Sequence, residues 1–492
     1  MGKKKSSLMY IMNPRCGWCT KANPVVEELI KDGHKIKTLD VSNPKDAETA
    51  NKVKGEFSVQ CGTPLFIDAE SGNSVCGFRE KDVLEKWANG EEIPAPPRPK
   101  APTGQQPPQQ PTMRTAKLEY IWLDGHGTKN IRTKTKYMPL RLGNAENPMS
   151  QEQIFLQIPE WAFDGSSTKQ ADTENSDCVL KPVRLLANPL SQDQNFVSYI
   201  VMCEVYNSDG TPHETNSRYK LREFVDNFSP QDWSKIGLVV AVEQEYLIMD
   251  PRTNWPSTWD YDYDTEKGKK PKEPQGRYYC GVGSDLVEHR TIADAHASTC
   301  AKMGINIVGT NAEVMKSQWE YQLGPAHPVT AADQLWLSRY ILHKLGESNG
   351  FYINLEPKPI SGQWNGSGAH INFSTKTLRE EGGRDYIDSM CEALKDSHKE
   401  HMKVYGENNK KRLSGKYETA HHDDFTWGER DRTVSIRIPH TTSKDGVGYL
   451  EDRRPGANMD PYEAYLALTK TVSDFELSSD KTVDEEELQL NS

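Results

Sequence analysis

Residues 91–113 read EEIPAPPRPKAPTGQQPPQQPTM, where Pro and Gln displace any apolar period. Such a stretch builds no core; it reads as a polyproline II spacer of about 3.1 Å per residue. The chain must therefore fold in parts, with about 90 residues before the spacer and a large body after it. The length of 492 residues agrees, since about 150 residues per domain gives roughly three domains. The division expected is 1–90, the spacer 91–113, a β-rich unit over 114–210, and a second unit over 211–492 that ends in a frayed acidic tail around Asp484–Glu487. No internal repeat is visible.

Composition removes several classes. A net charge of −11 argues against nucleic acid, whose binders carry a basic face. No apolar run approaches the ~18 residues of a membrane span. Met1-Gly2-Lys3-Lys4-Lys5-Ser6 lacks the apolar stretch of a signal peptide. It matches a myristoylation pattern, and its plainer reading is a solvated basic leader. Nine cysteines, an odd number scattered along the chain, suit a reducing cytoplasm rather than a disulfide framework.

Before the spacer, Leu8–Met12, Ile36–Val41 and Leu65–Ile67 read as strands, and Asn23–Ile30 and Val83–Ala88 as helices, which makes a small α/β unit. Arg15-Cys16-Gly17-Trp18-Cys19 follows a strand and opens a helix. A thiol at a helix N-terminus is poised as thiolate, so Cys16 is the candidate nucleophile and Cys19 the resolver. A zinc site would need a second ligand pair, and these 90 residues hold no other Cys-x-x-Cys and no His-x-x-x-His. On this motif and on Gly62-Thr63-Pro64, residues 7–90 resemble the thioredoxin/glutaredoxin superfamily. The resemblance implies a cis-proline at Thr63–Pro64 beside the active Cys, and a thiol-disulfide oxidoreductase. The motif is neither Cys-Pro-Tyr-Cys nor Cys-Gly-Pro-Cys, so glutathione and a thioredoxin-type reductant both stay open as the electron donor. Cys61 and Cys76 are extra, and are read as buried thiols in preference to a redox role.

After the spacer, Lys117–Leu123 and Phe196–Tyr206 read as strands, Leu238–Met249 as an apolar strand, and Ala331–Leu345 and Arg384–His401 as helices. The apolar strand carries Glu243-Gln244-Glu245. Alternation puts both carboxylates on one face, where they repel unless a cation lies between them. Glu313 and Glu320 sit among apolar and aromatic residues, His370 shares a strand face with Asn372 and Ser374, and Glu451 adds another acid. Five carboxylates and one imidazole could fill two magnesium or manganese sites. Arg412, Arg432, Arg437, Arg453 and Arg454 lie within one short span, and guanidinium forks match phosphate and carboxylate. Taken singly each is an ordinary surface residue; together they describe a site for a polyphosphate and a carboxylate.

The ordered runs Phe163–Thr168, Val242–Tyr246, Tyr279–Gly283, Gly309–Met315, Gln318–Glu320, Asn365–Ser374, Ser435–Pro439 and Glu451–Arg454 resemble type II glutamine synthetases over about residues 114–480. The resemblance implies a β-grasp domain and a catalytic domain with an open β-barrel. It implies ATP-dependent ligation of ammonia to glutamate through γ-glutamyl phosphate. Glu245, Glu313 and Glu320 would hold one metal, and Glu243, His370 and Glu451 the other. Arg412, Arg453, Asn365 and Gly366 would bind glutamate, and Arg432 and Arg437 phosphates, with Arg432 near the transferred group. Asn372 and Ser374 would approach the nucleotide, and Glu418 would sit on a flap. Asp164 would reach in from a neighbouring subunit to take a proton from ammonium, in a homo-oligomer of two stacked pentameric rings.

The sequence departs from that family at Tyr417, where His is common, at Asp431, commonly Asn, and at His440, commonly Arg. A charged insertion over Asp260–Glu273 is expected to be a solvated loop. Two other readings stay open: a catalytically inactive scaffold on the same fold, and a ligase for another amine. The dithiol is either an independent reductase or a redox regulator of the ligase acting on Cys178, Cys203, Cys280, Cys300 or Cys391.

Overall fold

The computed structural model describes residues 7–91, 93 and 113–490, apart from residues 60, 145, 192, 194, 272 and 274, with side chains described as far as residue 478. The basic leader and nearly all of the Pro/Gln spacer lie outside the described residues. The chain divides into two compact units, Met1–Pro108 and Gln109–Ser492. Among the described residues no helix is long and apolar enough to cross a membrane.

In the first unit, strands β1 (Leu8–Met12), β2 (Lys37–Asp40), β3 (Leu65–Asp68) and β4 (Ser74–Cys76) form a sheet of order β2-β1-β3-β4. β1 runs parallel to β2 and antiparallel to β3. Helix α1 (Gly17–Lys31) opens at the Cys16–Cys19 motif and runs on through the amphipathic stretch Asn23–Ile30, with Cys19 and Ala22 extending the buried stripe of Val26 and Leu29. That burial outweighs the hydrogen bond lost at Pro24. Helix α2 (Pro44–Glu56) gave little sequence signal because it buries only Ala50 and Val53; Asn43 caps it and Pro44 occupies its first turn. Helix α3 (Lys81–Ala88) closes the unit through Leu84 and Trp87.

Cys61 and Cys76 correct an expectation. They are neither buried nor free: they form a disulfide with a Cα–Cα distance of 6.0 Å. The hairpin brings them together, since Leu65 pairs with Cys76 and the Gly77 N–H donates to the Pro64 carbonyl at 2.9 Å.

The second unit opens with a five-stranded sheet of β5 (Met113–Leu123), β6 (Ile131–Arg141), β7 (Trp161–Asp164), β8 (Asp177–Ala187) and β9 (Val197–Asn207), in the order β6-β5-β9-β8-β7. Its alternating residues Leu118, Tyr120, Leu180, Val201 and Val205 bury one face. A nine-stranded sheet follows. It contains β10 (Val239–Asp250), β11 (Trp255–Pro256), β14 (Ile307–Ala312), β15 (Gln318–Ala326), β16 (Tyr352–Asn354), β17 (Ala369–Ser374), β18 (Trp427–Glu429), β19 (Ile436–Ile438) and β20 (Leu450–Asp452). The main path is β14-β15-β10-β17-β20-β19-β18, with β11 and β16 also on β10. Between β11 and β14, β12 (Tyr261–Asp262) and β13 (Lys267–Gly268) make a separate hairpin. The insertion is thus partly ordered rather than a plain solvated loop. Asp262 accepts the N–H groups of Asp264 and Thr265 to make its turn, and Gly268 lies so close to the Trp255 ring that a Cβ would meet it at 2.2 Å.

Two helical expectations also change. The span Arg384–His401 breaks into helices Arg384–Asp396 and His398–Val404, and the acidic tail continues the last helix, Pro461–Leu490. Helix Pro328–Ser348 packs on β10 and β15 with nearly every face buried. From it Arg339, fully buried, donates to Gln244 Oε1 of β10 and to the carbonyls of Ala457 and Met459. Replacing Arg339 with Met should leave Gln244 Oε1 and the Met459 carbonyl without a donor, at a cost of about 3 kcal/mol. Thermal and urea unfolding would read this, and an unchanged midpoint would contradict it.

Candidate active site

Strand register assembles the acids. On β10, Glu243 and Glu245 share a face while Val242, Gln244 and Tyr246 point into the core. Glu243 pairs with His370 of β17, and Glu245 with Glu320 of β15. One strand further out on either side, Asn372 pairs with Glu451 and Glu320 with Asn311. Two triads result, Glu243–His370–Glu451 and Glu245–Glu313–Glu320, and in each the ligand-type atoms lie within 4.8 Å of one another.

Both triads line a cavity of about 580 Å³, together with Asn365, Gly366, Arg412, Tyr417, Glu418, Arg432, Arg437 and Arg453. Arg412 is buried and reaches His370 Nε2 at 2.9 Å and the Arg453 carbonyl at 2.9 Å. Its approach explains two glycines. A Cβ on Gly368 would meet Arg412 Nη2 and His370 Nε2 at 2.6 Å, and one on Gly366 would meet the Pro357 carbonyl at 2.2 Å. Arg437 and Arg453 each donate to Glu451 at 2.5 Å.

The electrostatics are those of a cation site. Burial first, then neighbouring carboxylates, push Glu245 up to about 8 and Glu320 up to about 10, and burial raises Glu313 too. Burial, then Arg453 and Arg412, holds His370 well below the usual imidazole range, so the ring is neutral and able to donate a lone pair. Among the described residues His370 Nδ1 is buried without a hydrogen-bond partner, 3.5 Å from both Glu243 and Glu451. Asn365 Oδ1, Asn372 Oδ1, Arg437 Nε and Arg453 Nε are likewise buried and unpartnered. An oxygen-rich donor set with one imidazole fits a magnesium- or manganese-sized divalent ion at each triad.

Of the residues singled out from sequence, the cavity gathers the five candidate metal-binding acids and the imidazole, four arginines, Asn365, Gly366 and Glu418. Asn372 lies beside it, donating to Glu243 at 2.8 Å, while the Ser374 hydroxyl turns to the Gly448 carbonyl. Asp164 does not line the cavity of its own chain. It is exposed at the end of β7, where Ser166 and Ser167 hydroxyls donate to it at 2.6 Å and keep its carboxyl below the usual range. Cys16 and Cys19 belong to the first unit. Cys16 caps α1, is half-buried, and donates from Sγ to the Thr63 carbonyl at 3.3 Å; Cys19 is buried, and the Thr63–Pro64 peptide is cis.

Sequence reasoning assigned no role to the amides that aim the carboxylates. Gln318 donates to Glu245 at 3.0 Å, Asn311 to Glu313 at 3.0 Å, and Gln322 to Glu320. Gln318 and Gln322 flank Glu320 at every second residue of β15, a periodicity that could have revealed them.

This geometry meets its counterpart in comparisons with known proteins. The catalytic domain of glutamine synthetase matches residues 214–474, and the β-grasp domain of glutamine synthetase matches residues 114–208. The chain belongs to the glutamine synthetase family. A glutamine synthetase of Emericella nidulans is 42% identical over 354 residues, 72% of this chain and 91% of that protein. One from Yarrowia lipolytica is 44% identical, covering 72% and 90%. Glutamine synthetase cytosolic isozyme 1-3 of Arabidopsis thaliana is 41% identical, covering 72% and 93%.

Tyr417, Asp431 and His440, the expected departures from the family pattern, each have a definite local setting. Tyr417 and Glu418 both hold left-handed backbones, with φ of 58° and 61°. Thr419 ties them down by donating to the carbonyls of Arg412 and Lys416 at 3.2 and 2.9 Å, and Asn365 donates to Glu418 at 3.2 Å. Lys358 sits 5.2 Å from the Tyr417 ring and 5.7 Å from the Trp364 ring, and donates to the Trp364 carbonyl. Asp431 forms a turn by accepting the Thr433 N–H and hydroxyl at 2.7 Å. His440 begins the helix His440–Asp445.

Two outcomes follow from this geometry. Between about pH 5 and 8 the folded site holds protons that an ordinary carboxyl, with a value of 4.5, has released on unfolding. These groups therefore lower stability as pH rises through that window, and a cation that displaces the protons restores it. Addition of Mn2+ or Mg2+ should raise the melting temperature more at pH 8 than at pH 6; equal rises would contradict the assignment. Lys358→Met should speed amide exchange over residues 415–422 about fivefold, the equivalent of about 1 kcal/mol for the lost cation–π contact. Unchanged exchange would mean that Thr419 and Asn365 suffice.

Proposed function

We propose that the second unit is a glutamate–ammonia ligase that uses ATP to make glutamine through γ-glutamyl phosphate. The observation that carries this is the pair of acid triads on one cavity, faced by four arginines. A carboxylate is a poor acceptor for an amine until its oxygen carries a leaving group. The γ-carboxylate of glutamate attacks the γ-phosphorus of ATP, ADP leaves, and ammonia then displaces phosphate from the acyl carbon. Divalent cations, Mg2+ or Mn2+, held by the two triads would offset charge on the phosphates and orient the γ-carboxylate.

The chain's own residues supply the rest. Arg412 and Arg453, with Asn365 and Gly366, hold glutamate, and Arg432 and Arg437 bind phosphate oxygens, Arg432 nearest the group in transit. Asn372 and Ser374 approach the nucleotide. Glu418 lies on the flap that keeps water from the acyl phosphate. Asp164, ionised and exposed, takes the ammonium proton in the cavity of a neighbouring chain, so the working form is a homo-oligomer, a decamer by family likeness, with sites between subunits. We read the first unit as a thioredoxin/glutaredoxin-like dithiol oxidoreductase. The reading is supported by Cys16 at a helix N-cap, Cys19 one turn later, and the Thr63 carbonyl against Cys16. Glutathione or a thioredoxin-type protein would be its reductant.

Phosphate release from ATP should require both glutamate and ammonium, with glutamine as product. Release without glutamine formation, or only with another amine, would sink the ammonia reading, and none at all would favour an inactive scaffold. Asp164→Asn and Glu320→Ala chains should each lose at least about a hundredfold in activity. Reassembly of a mixture should recover part of it, because a hybrid cavity can pair two intact contributions. No recovery would place Asp164 outside the shared site.

A further inference from the structure

The first unit holds a second pair of sulfurs that the dithiol reading leaves unused. The Cys61–Cys76 bridge spans only 15 residues, and the hairpin already closes that loop. The pairs Leu65–Cys76, Phe66–Val75 and Ile67–Ser74, and the Gly77-to-Pro64 hydrogen bond, hold its two sides together without any sulfur. A disulfide stabilises mainly by removing loop-closure freedom from the unfolded chain, least for short loops. The bridge can nonetheless open without the two strands losing their pairing. It is also accessible: Cys76 is exposed and Cys61 half-buried, and exposed bridges are the ones that exchange.

Its position points to a partner. Cys61 lies two residues before Thr63, whose carbonyl accepts the Cys16 thiol at 3.3 Å. Two residues of extended chain span at most about 7 Å, so the bridge stands within a short loop movement of Cys16. Lys54 donates to the Cys61 carbonyl at 2.9 Å, and the Arg79 guanidinium lies near Gly77, next to Cys76, so the backbone around the bridge sits in a basic setting. Partial burial opposes ionisation of Cys16, but hydrogen bonds from the Cys19 side chain and backbone outweigh it and bring the thiol below its ordinary value. Cys19, buried, lies above its own.

We propose that Cys61–Cys76 is a second redox couple, exchanging electrons with Cys16/Cys19 inside the first unit. The inference rests on the dithiol reading given above. Cys16 thiolate attacks Cys61 Sγ, the Cys61–Cys76 bond breaks, and Cys76 leaves as thiolate and takes up a proton. Cys19, giving up its proton, attacks Cys16 Sγ and releases Cys61 as thiolate. The Cys16/Cys19 dithiol is thereby oxidised by two electrons and the Cys61–Cys76 disulfide reduced by two, with no external reagent. The exposed Cys76 end is where a soluble thiol or disulfide substrate can load or unload the unit, so the domain carries two disulfide equivalents rather than one.

The test uses the full chain equilibrated in glutathione buffers of graded ratio, acid-quenched, alkylated and mapped by peptide mass. Both pairs should titrate in the native protein. Cys19→Ser should accumulate a Cys16–Cys61 cross-linked peptide, and Cys16→Ser should slow reduction of Cys61–Cys76 about tenfold or more. If Cys16/Cys19 titrates while Cys61–Cys76 stays bonded and no cross-linked peptide forms, the bridge is a staple and the proposal is overturned. If Cys16/Cys19 itself never cycles, the dithiol reading fails and takes the proposal with it.

Discussion

Repulsion among carboxylates is the constraint from which the second unit is built. Glu243, Glu245, Glu313, Glu320 and Glu451 border one cavity, and burial, then neighbouring carboxylates, raises three of them above the usual carboxyl range. No flexible arrangement would keep such groups together, because each would turn to water. A sheet can, since register fixes the neighbours of each residue and the opposite face locks the strands. Gln244 does that for β10, and its side-chain partners among the described residues are buried: Arg339, the Ala457 carbonyl and the Glu245 carbonyl. The strand that carries the acids is thus fixed by a buried polar contact on its far face.

The arginines are held in the same way. Asp452 is buried and accepts two nitrogens of Arg454 and the Tyr405 hydroxyl, while His398 and His401 take further Arg454 nitrogens. This network leaves the Arg454 carbonyl pointing at Arg412 and Asn409, and the Arg453 carbonyl also accepts from Arg412. A charge pair out of water adds little stability of its own but is costly to break, which suits a scaffold that must keep two cationic side chains facing a cavity. His398 Nε2 also donates to the His422 carbonyl at the end of the flap, so scaffold and flap share one set of bonds.

What could be read from the sequence follows from range. Period-2 alternation placed Glu243 with Glu245 and His370 with Asn372, because a strand's own geometry decides it. Which strands lie beside β10 is a long-range matter, and only the order of family motifs supplied it. Cys61 and Cys76 were misjudged for the same reason: fifteen residues apart in sequence, they meet through a hairpin whose second strand has three residues, too short to leave a pattern. Helix α2 escaped because two buried residues make a weak stripe. The insertion over residues 260–273 looked polar throughout, yet Tyr261 and Tyr263 contact each other and Gly268 lets Trp255 lie flat against it.

That insertion and the altered flap residue are connected through one side chain. Trp255 packs on Trp259, and Trp259 meets Trp364 edge-on at 5.1 Å. Lys270, just past the inserted hairpin, lies 5.1 Å over Trp364 and donates to the Ser361 carbonyl, while Lys358 joins Trp364 to Tyr417. Asn365 is the next residue, held at its backbone by Gln275 and reaching Glu418 with its amide. A histidine at position 417 would offer Lys358 a smaller ring; tyrosine offers a larger π face for the ammonium. The inserted segment and Tyr417 thus meet around the same tryptophan, next to Asn365 and Glu418, which line the cavity and are joined by a hydrogen bond.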